Sequence, residues 1–216
     1  MTPGAAMVIM TLHLRAYKTM KTLITLAGAF ALLSMTGTPA ARAQSAEEIA
    51  KAVLPLPEDL KAGAAIYVYD EKGDRKVLRA GTNQVECMPK DATDGFTRCY
   101  SKITADRRDF QAKLKAEGKA AKDVTDLTAA AVKDGKVKPA QMGSMTYRYS
   151  DDPKRIKLLW VISVPNQTPE SLGISTGSQR DAGLKGHGMP WMMLPGTPGA
   201  HIMIPINNTP LSSTDK

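Results

Sequence analysis

The chain has 216 residues, of which 43% are hydrophobic and 23% charged; this excludes a disordered tail, a collagen-like repeat and a large multidomain assembly. The formal net charge of +8 would point to nucleic acid or an anionic surface, but residues 1–43 carry Arg15, Lys18, Lys21 and Arg42 with no acid, and without them the charge falls to +4. The remaining Lys and Arg are mixed with Asp and Glu and form no basic stripe with interleaved aromatics, which argues against nucleic acid as a partner.

The N-terminal segment has the three parts of a secretory signal. Lys18 and Lys21 supply the basic region, Leu23 to Leu33 the apolar run, and Ala41-Arg42-Ala43 the small-residue cleavage site after Pro39. Cleavage is predicted between Ala43 and Gln44. The run is too short to span a bilayer and no Cys follows the site, so the expected product is periplasmic or secreted and meets the membrane only transiently during export. Met20-Lys21-Thr22-Leu23 is already a complete signal start, so residues 1–19 read as an upstream extension or as a long basic region. The predicted organisation is a signal peptide over 20–43, one exported domain over 44–206, and a loose polar tail over 207–216.

In the mature part, Ser45 is placed to cap a short helix with Glu47 and Glu48 in its first turn, ended by Pro55 and Pro57. Ala65–Tyr69 and Lys76–Arg79 read as two strands joined by the turn Asp70-Glu71-Lys72-Gly73-Asp74. That turn lacks the alternating acids and closing Glu of a calcium loop. Gln84–Met88 alternates as the next strand. Cys87 and Cys99 are the only cysteines of a chain bearing an export signal, and oxidising compartments pair such residues. Redox pairs are typically spaced C-x-x-C, and two thiolates with no nearby His make a poor zinc site. A structural disulfide is therefore predicted.

Ile103, Phe110 and Leu114 recur at helical spacing up to Gly118, and Val124, Leu127 and Ala131 do so in a second helix over Ala120–Val132. Both stripes are thin, which suits packing on a sheet. Met145–Tyr149 reads as a strand, and the apolar run Ile156–Val164 as a strand buried on both faces at the centre of the sheet. Residues 165–199 hold 12 Gly or Pro in 35 positions, a long irregular connection of the kind that carries function or is disordered. Ala200–Ile206 closes the domain, with Pro205 predicting an edge strand.

There is no G-x-S-x-G elbow, no H-E-x-x-H helix and no phosphate-binding glycine loop with its lysine. One cluster stands out: His187, Met189, Met192, Met193, His201 and Met203 fall within 17 residues. Thioether and imidazole together favour Cu(I). His201 and Met203 share one face of their strand, opposite Ile202, Ile204 and Ile206. The plain alternative is that these methionines fill a core and Trp191–Leu194 is a packed strand.

Ala80-Gly81-Thr82-Asn83 with Cys87-Met88-Pro89 and Cys99, and Pro190-Trp191-Met192-Met193 with Gly196-Thr197-Pro198 and Ala200-His201-Ile202-Met203-Ile204-Pro205, resemble two blocks of a group of small exported bacterial proteins of uncharacterised function. In the first block Gln84-Val85-Glu86 stands where members carry an aromatic. The resemblance implies export and a shared fold, and no reaction.

The fold expected is α+β, a mostly antiparallel sheet covered by the two helices of 103–134, with one disulfide-pinned hairpin. The leading functional expectation is a non-enzymatic binding or structural module with no cofactor. The alternatives are a copper module built on the His/Met cluster and a hydrolase built on 165–199 with His187 or His201 as base. No catalytic residue is assigned, and the sequence names no partner or oligomeric state.

Overall fold

The computed structural model of the chain describes residues 39–207 and 209–211. Residues 1–38, and with them most of the expected signal segment, lie outside the described residues, as do positions 208 and 212–216 of the tail. The first helix, α1, runs Pro39–Ala52, so it starts before Ser45 and contains the expected cleavage bond. Ser45 is thus no cap in the uncut chain, because the residues ahead of it continue the helix, with Pro39 at its first position. Cleavage at Ala43 would shorten α1 from its N-terminal end and leave the part that packs.

A one-turn helix α2 (Glu58–Lys61) leads into β1 (Ala65–Tyr69) and β2 (Arg75–Arg79), the expected hairpin. Its turn closes because Asp70 Oδ1 accepts from the Lys72 and Asp74 N–H groups, and Gly73 supplies φ 75°. The Gly81-Thr82-Asn83 turn is a structural lock. A Cβ on Gly81 would sit 2.4 Å from the Ala65 nitrogen, so only glycine fits. Asn83 donates to Leu60 O at 2.9 Å and accepts from the Val85 N–H at 3.0 Å.

β3 (Val85–Met88) and β4 (Thr97–Ser101) pair antiparallel with Cys87 directly opposite Cys99, and the disulfide is formed with Cα atoms 4.0 Å apart. Helices α3 (Ala105–Ala116) and α4 (Ala121–Lys133) follow, then β5 (Met145–Tyr149) and β6 (Leu158–Ser163). The 165–199 connection holds α5 (Pro169–Leu172), α6 (Arg180–Leu184) and the short strand β7 (Trp191–Met193), and β8 (His201–Pro205) ends the sheet.

The eight strands form one sheet in the order β2-β1-β3-β4-β5-β6-β8-β7, antiparallel throughout except for β1 beside β3. This is the α+β, mostly antiparallel fold expected. The edge position predicted for Pro205 is corrected: β8 lies between β6 and β7, and β7 is the edge. Proline fits there because the Ile206 N–H turns towards β6, donating to Leu158 O. The Pro205 nitrogen therefore faces the other side, beyond the three residues that β7 covers.

One face of the sheet carries α1, whose Ile49, Ala52 and the following Val53 and Leu56 pack on Ile66, Cys87, Cys99 and Tyr147. Trp160 joins this cluster and donates its indole N–H to Pro55 O at 3.0 Å. The other face carries α3, while α4 packs on α3. The helical stripes match those expected at Leu114, Val124 and Ala131 and differ at Ile103 and Leu127. On α3 the buried residues are Arg108, Ala112 and Leu114, with Ile103 exposed in the preceding turn; on α4 they are Val124, Thr128 and Ala131, with Leu127 exposed. On α3 the reason is Glu86, which stands on the sheet beneath the helix and draws Arg108 inward.

Candidate functional site

Glu86 is 5% exposed, and a carboxylate so placed must be paired. It accepts from Arg108 Nη2 and forms an ion pair with Arg75 Nη1 at 2.8 Å. Arg108 also donates to the Tyr67 hydroxyl at 2.8 Å, and Arg75 to Asp109 at 2.7 Å. Under α3 every buried charge has its partner.

The next strands on the same face break that rule. Arg98 on β4 lies directly across from Arg148 on β5, and Arg148 across from Leu159 on β6. Arg98 is held by Asp94, whose two oxygens accept from its two Nη groups. Burial pushes the Asp94 carboxyl up, but the hydrogen bonds from Arg98 and the Phe96 N–H outweigh it and hold it below its ordinary value. Arg148 has no such partner. Its Nε is buried without a hydrogen bond, and no carboxylate meets its guanidinium among the described residues. Burial first, and then the charge of Arg98, pull it below the ordinary guanidinium value. Its aromatic neighbour Phe96 is shared, with the guanidinium carbons of Arg155, Arg98 and Arg148 at 4.5, 4.8 and 5.9 Å from the ring centre.

Arg148 forms part of the wall of a cavity of about 640 Å³. The cavity runs from Phe96 across Leu159 and Ile156 to Met203 on β8 and Trp191 on β7, with Arg155 and Arg180 among its polar lining. Its size is that of a small-molecule site, mostly apolar with a few polar groups. Its far end is a packed cluster in which Ile156, Leu159, Val161, Trp191 and Met203 are buried and Leu184 of α6 closes over them. Leu194, which also lines it, adopts φ 53° ahead of Pro195, a strained backbone held by Thr197, whose hydroxyl donates to Leu194 O at 2.8 Å. Such strain in a bulky residue collects at ligand sites. The lining includes no His, Asp, Glu or Cys.

The His/Met cluster is divided. His201 and Met193 are direct cross-strand partners, and Met203 shares their face, buried in the floor of the cavity. Met192 points to the opposite face, where it is 1% exposed among Val164, Ala200 and Ile202. His187 and Met189 are exposed on the loop ahead of β7. His201 donates from Nδ1 to Gly199 O at 2.8 Å, which leaves its lone pair on Nε2. Neither histidine meets a carboxylate, and no three His, Cys, Asp or Glu side chains gather as a metal set, among the described residues. The alternation assigned to β8 holds, but both its faces are cores: Ile202 lies in one cluster and Met203 in the other.

The sequence reading did not single out Arg148, Phe96 or Arg155. The only signal was Arg148 within Met145-Thr146-Tyr147-Arg148-Tyr149, and there it looks like an ordinary solvent-facing position. Among the described residues no helix is long and apolar enough to cross a membrane. Compared with protein-family models, with curated proteins and with solved structures, the chain matches none of them.

Proposed function

We propose that this chain is an exported, non-enzymatic binding protein that takes a small organic anion in the cavity beside Arg148. The observation that carries this is the guanidinium of Arg148: the fold pairs Glu86 with two arginines, yet leaves the half-buried Arg148 with its Nε enclosed and unbonded and with no acid beside it among the described residues. An enclosed donor left without a hydrogen bond costs about 1–3 kcal/mol, and a ligand anion would remove that cost. The lack of His, Asp, Glu and Cys in the lining supports binding rather than hydrolysis, since a general base must lie within hydrogen-bond reach of the reacting group. Export is supported by the three-part signal, by the Cys87–Cys99 disulfide, which suits an oxidising compartment, and by the likeness to the exported group.

The test is thermal denaturation of the exported protein against a panel of carboxylates, sulfonates and phosphate esters, each with an uncharged analogue. At least one anion should raise the melting temperature saturably and be recovered unchanged, and Arg148→Leu should abolish the rise. If no anion does so, or if the ligand is consumed, the reading is wrong.

A second reading has one observation in its favour. His201 and Met193 stand side by side with the imidazole oriented through Gly199, an arrangement that offers Cu(I) one nitrogen and one sulfur. Competition against a chromogenic Cu(I) chelator, by wild type and by His201→Ala, tests it. Equal and poor competition by both would remove it.

A further inference from the structure

Resting on the anion-binding reading, we infer that the ligand is an amphiphilic monocarboxylate, with its carboxylate on Arg148 and its apolar body along the floor formed by Leu159, Met203 and Trp191. Charge balance gives the head group. Among the described residues Arg148 is the lining arginine that no carboxylate pairs, and its Nε is enclosed without a hydrogen bond, so one negative charge completes it. The other arginines are already engaged: Arg98 by Asp94, and Arg155 and Arg180 by Asp152 and Asp181, each at 3.5 Å on the exposed rim. A phosphate dianion would bring a second charge into the low-dielectric wall with nothing buried to meet it. A carboxylate also matches the planar guanidinium, which can donate two parallel N–H bonds to it.

The sheet gives the body. Leu159 is the direct cross-strand neighbour of Arg148 on β6, and Met203 on β8 is opposite Trp191 on β7, all on one face. A chain leaving the carboxylate therefore runs across strands over apolar side chains only. Met203 and Trp191 are 9% and 4% exposed, so the floor is fixed by packing before any ligand arrives. A methionine and an indole make a surface that accepts alkyl or aryl groups without a hydrogen-bond demand at its exposed part.

The probes are octanoate, octanol, acetate and octyl phosphate, titrated calorimetrically into the exported protein. Octanoate should bind saturably. Octanol lacks the charge and acetate the body, and each should bind at least ~10-fold more weakly, the ratio expected for losing a charge-assisted hydrogen bond or most of the buried apolar area. Octyl phosphate should also bind more weakly than octanoate. Arg148→Gln should bring octanoate down to the octanol level, and Arg148→Lys, which keeps the charge and loses the fork, should fall between. Arg155→Gln on the rim should change octanoate affinity less than Arg148→Gln. Equal binding of octanol and octanoate would overturn the carboxylate assignment. Tighter binding of octyl phosphate would overturn the monoanion while leaving anion binding intact. No binding by any of the four would overturn this ligand class, and failure of the whole anion panel as well would overturn the reading beneath it.

Discussion

Arg148→Met should make the ligand-free protein more stable, the reverse of the usual effect of changing an internal residue. Methionine keeps the apolar stem that packs beside Leu159 and removes the guanidinium. The buried, unbonded Nε alone costs about 1–3 kcal/mol. Against this stands the contact with Phe96, but at 5.9 Å it lies at the outer limit of a cation–π interaction, and Arg155 and Arg98 hold that ring more closely. The contact is worth ~1 kcal/mol or less. The net gain expected is therefore up to about 2 kcal/mol, in the direction found when poorly compensated ions are replaced by apolar groups. For a domain of this size that is a rise in melting temperature of up to roughly 8 °C. Urea unfolding and calorimetry of the exported protein, wild type and variant, both free of ligand, measure it. A variant less stable than wild type by 1 kcal/mol or more would mean that the guanidinium is already satisfied, and the argument for a missing anion would fail.

Four further outcomes are expected. Removing the Cys87–Cys99 bond with alanines should cost about 3 kcal/mol in urea unfolding, and a reactive thiol titrated in native wild type would contradict the bond. Glu86→Leu should cost about 3–5 kcal/mol because it strands the buried Arg108 beneath α3 and leaves Arg75 with Asp109 alone, and a loss under 1 kcal/mol would show that Arg108 finds another partner. Leu194→Gly should raise unfolding stability by about 1 kcal/mol by relieving its positive φ while weakening ligand binding, and a fall in stability would remove the strain argument. Asp94 has its carboxyl held below the ordinary value, so its contribution to stability is whole above the ordinary carboxylate range and is lost as pH falls through the lowered value; Asp94→Asn should flatten that acid limb, and an unchanged limb in the variant would refute it.

Local chemistry made much of the fold legible in the sequence. The Asp70–Asp74 turn, the cysteine pair and the β-rich runs each carry their own geometric demand, and the strands and helices fall close to where these place them. What depended on distant partners was not legible. Pro205 marks a missing N–H but not which neighbour it faces, and the three-residue β7 was hidden within a segment rich in Gly and Pro. Arg108 reads as a surface residue of a basic helix until Glu86 is found beneath it, which shifts the buried stripe of α3. The candidate site was hidden for the same reason. Thr146 and Arg148 alternate with Met145, Tyr147 and Tyr149 as solvent-facing residues would, and only the sheet order sets Arg148 between Arg98 and Leu159, beside a cavity. The His/Met cluster was conspicuous by composition, but β7–β8 pairing turns Met192 to one core and Met203 to the other.

The measurement that bears most directly on the central claim is the side-chain Nε–H resonance of Arg148, assigned by its loss in Arg148→Lys and followed by NMR while octanoate is titrated into the exported protein. This resonance should shift and saturate with the calorimetric isotherm, while those of Arg155 and Arg180 move less. An unmoved Arg148 resonance alongside saturable octanoate binding would place the ligand elsewhere and contradict the account.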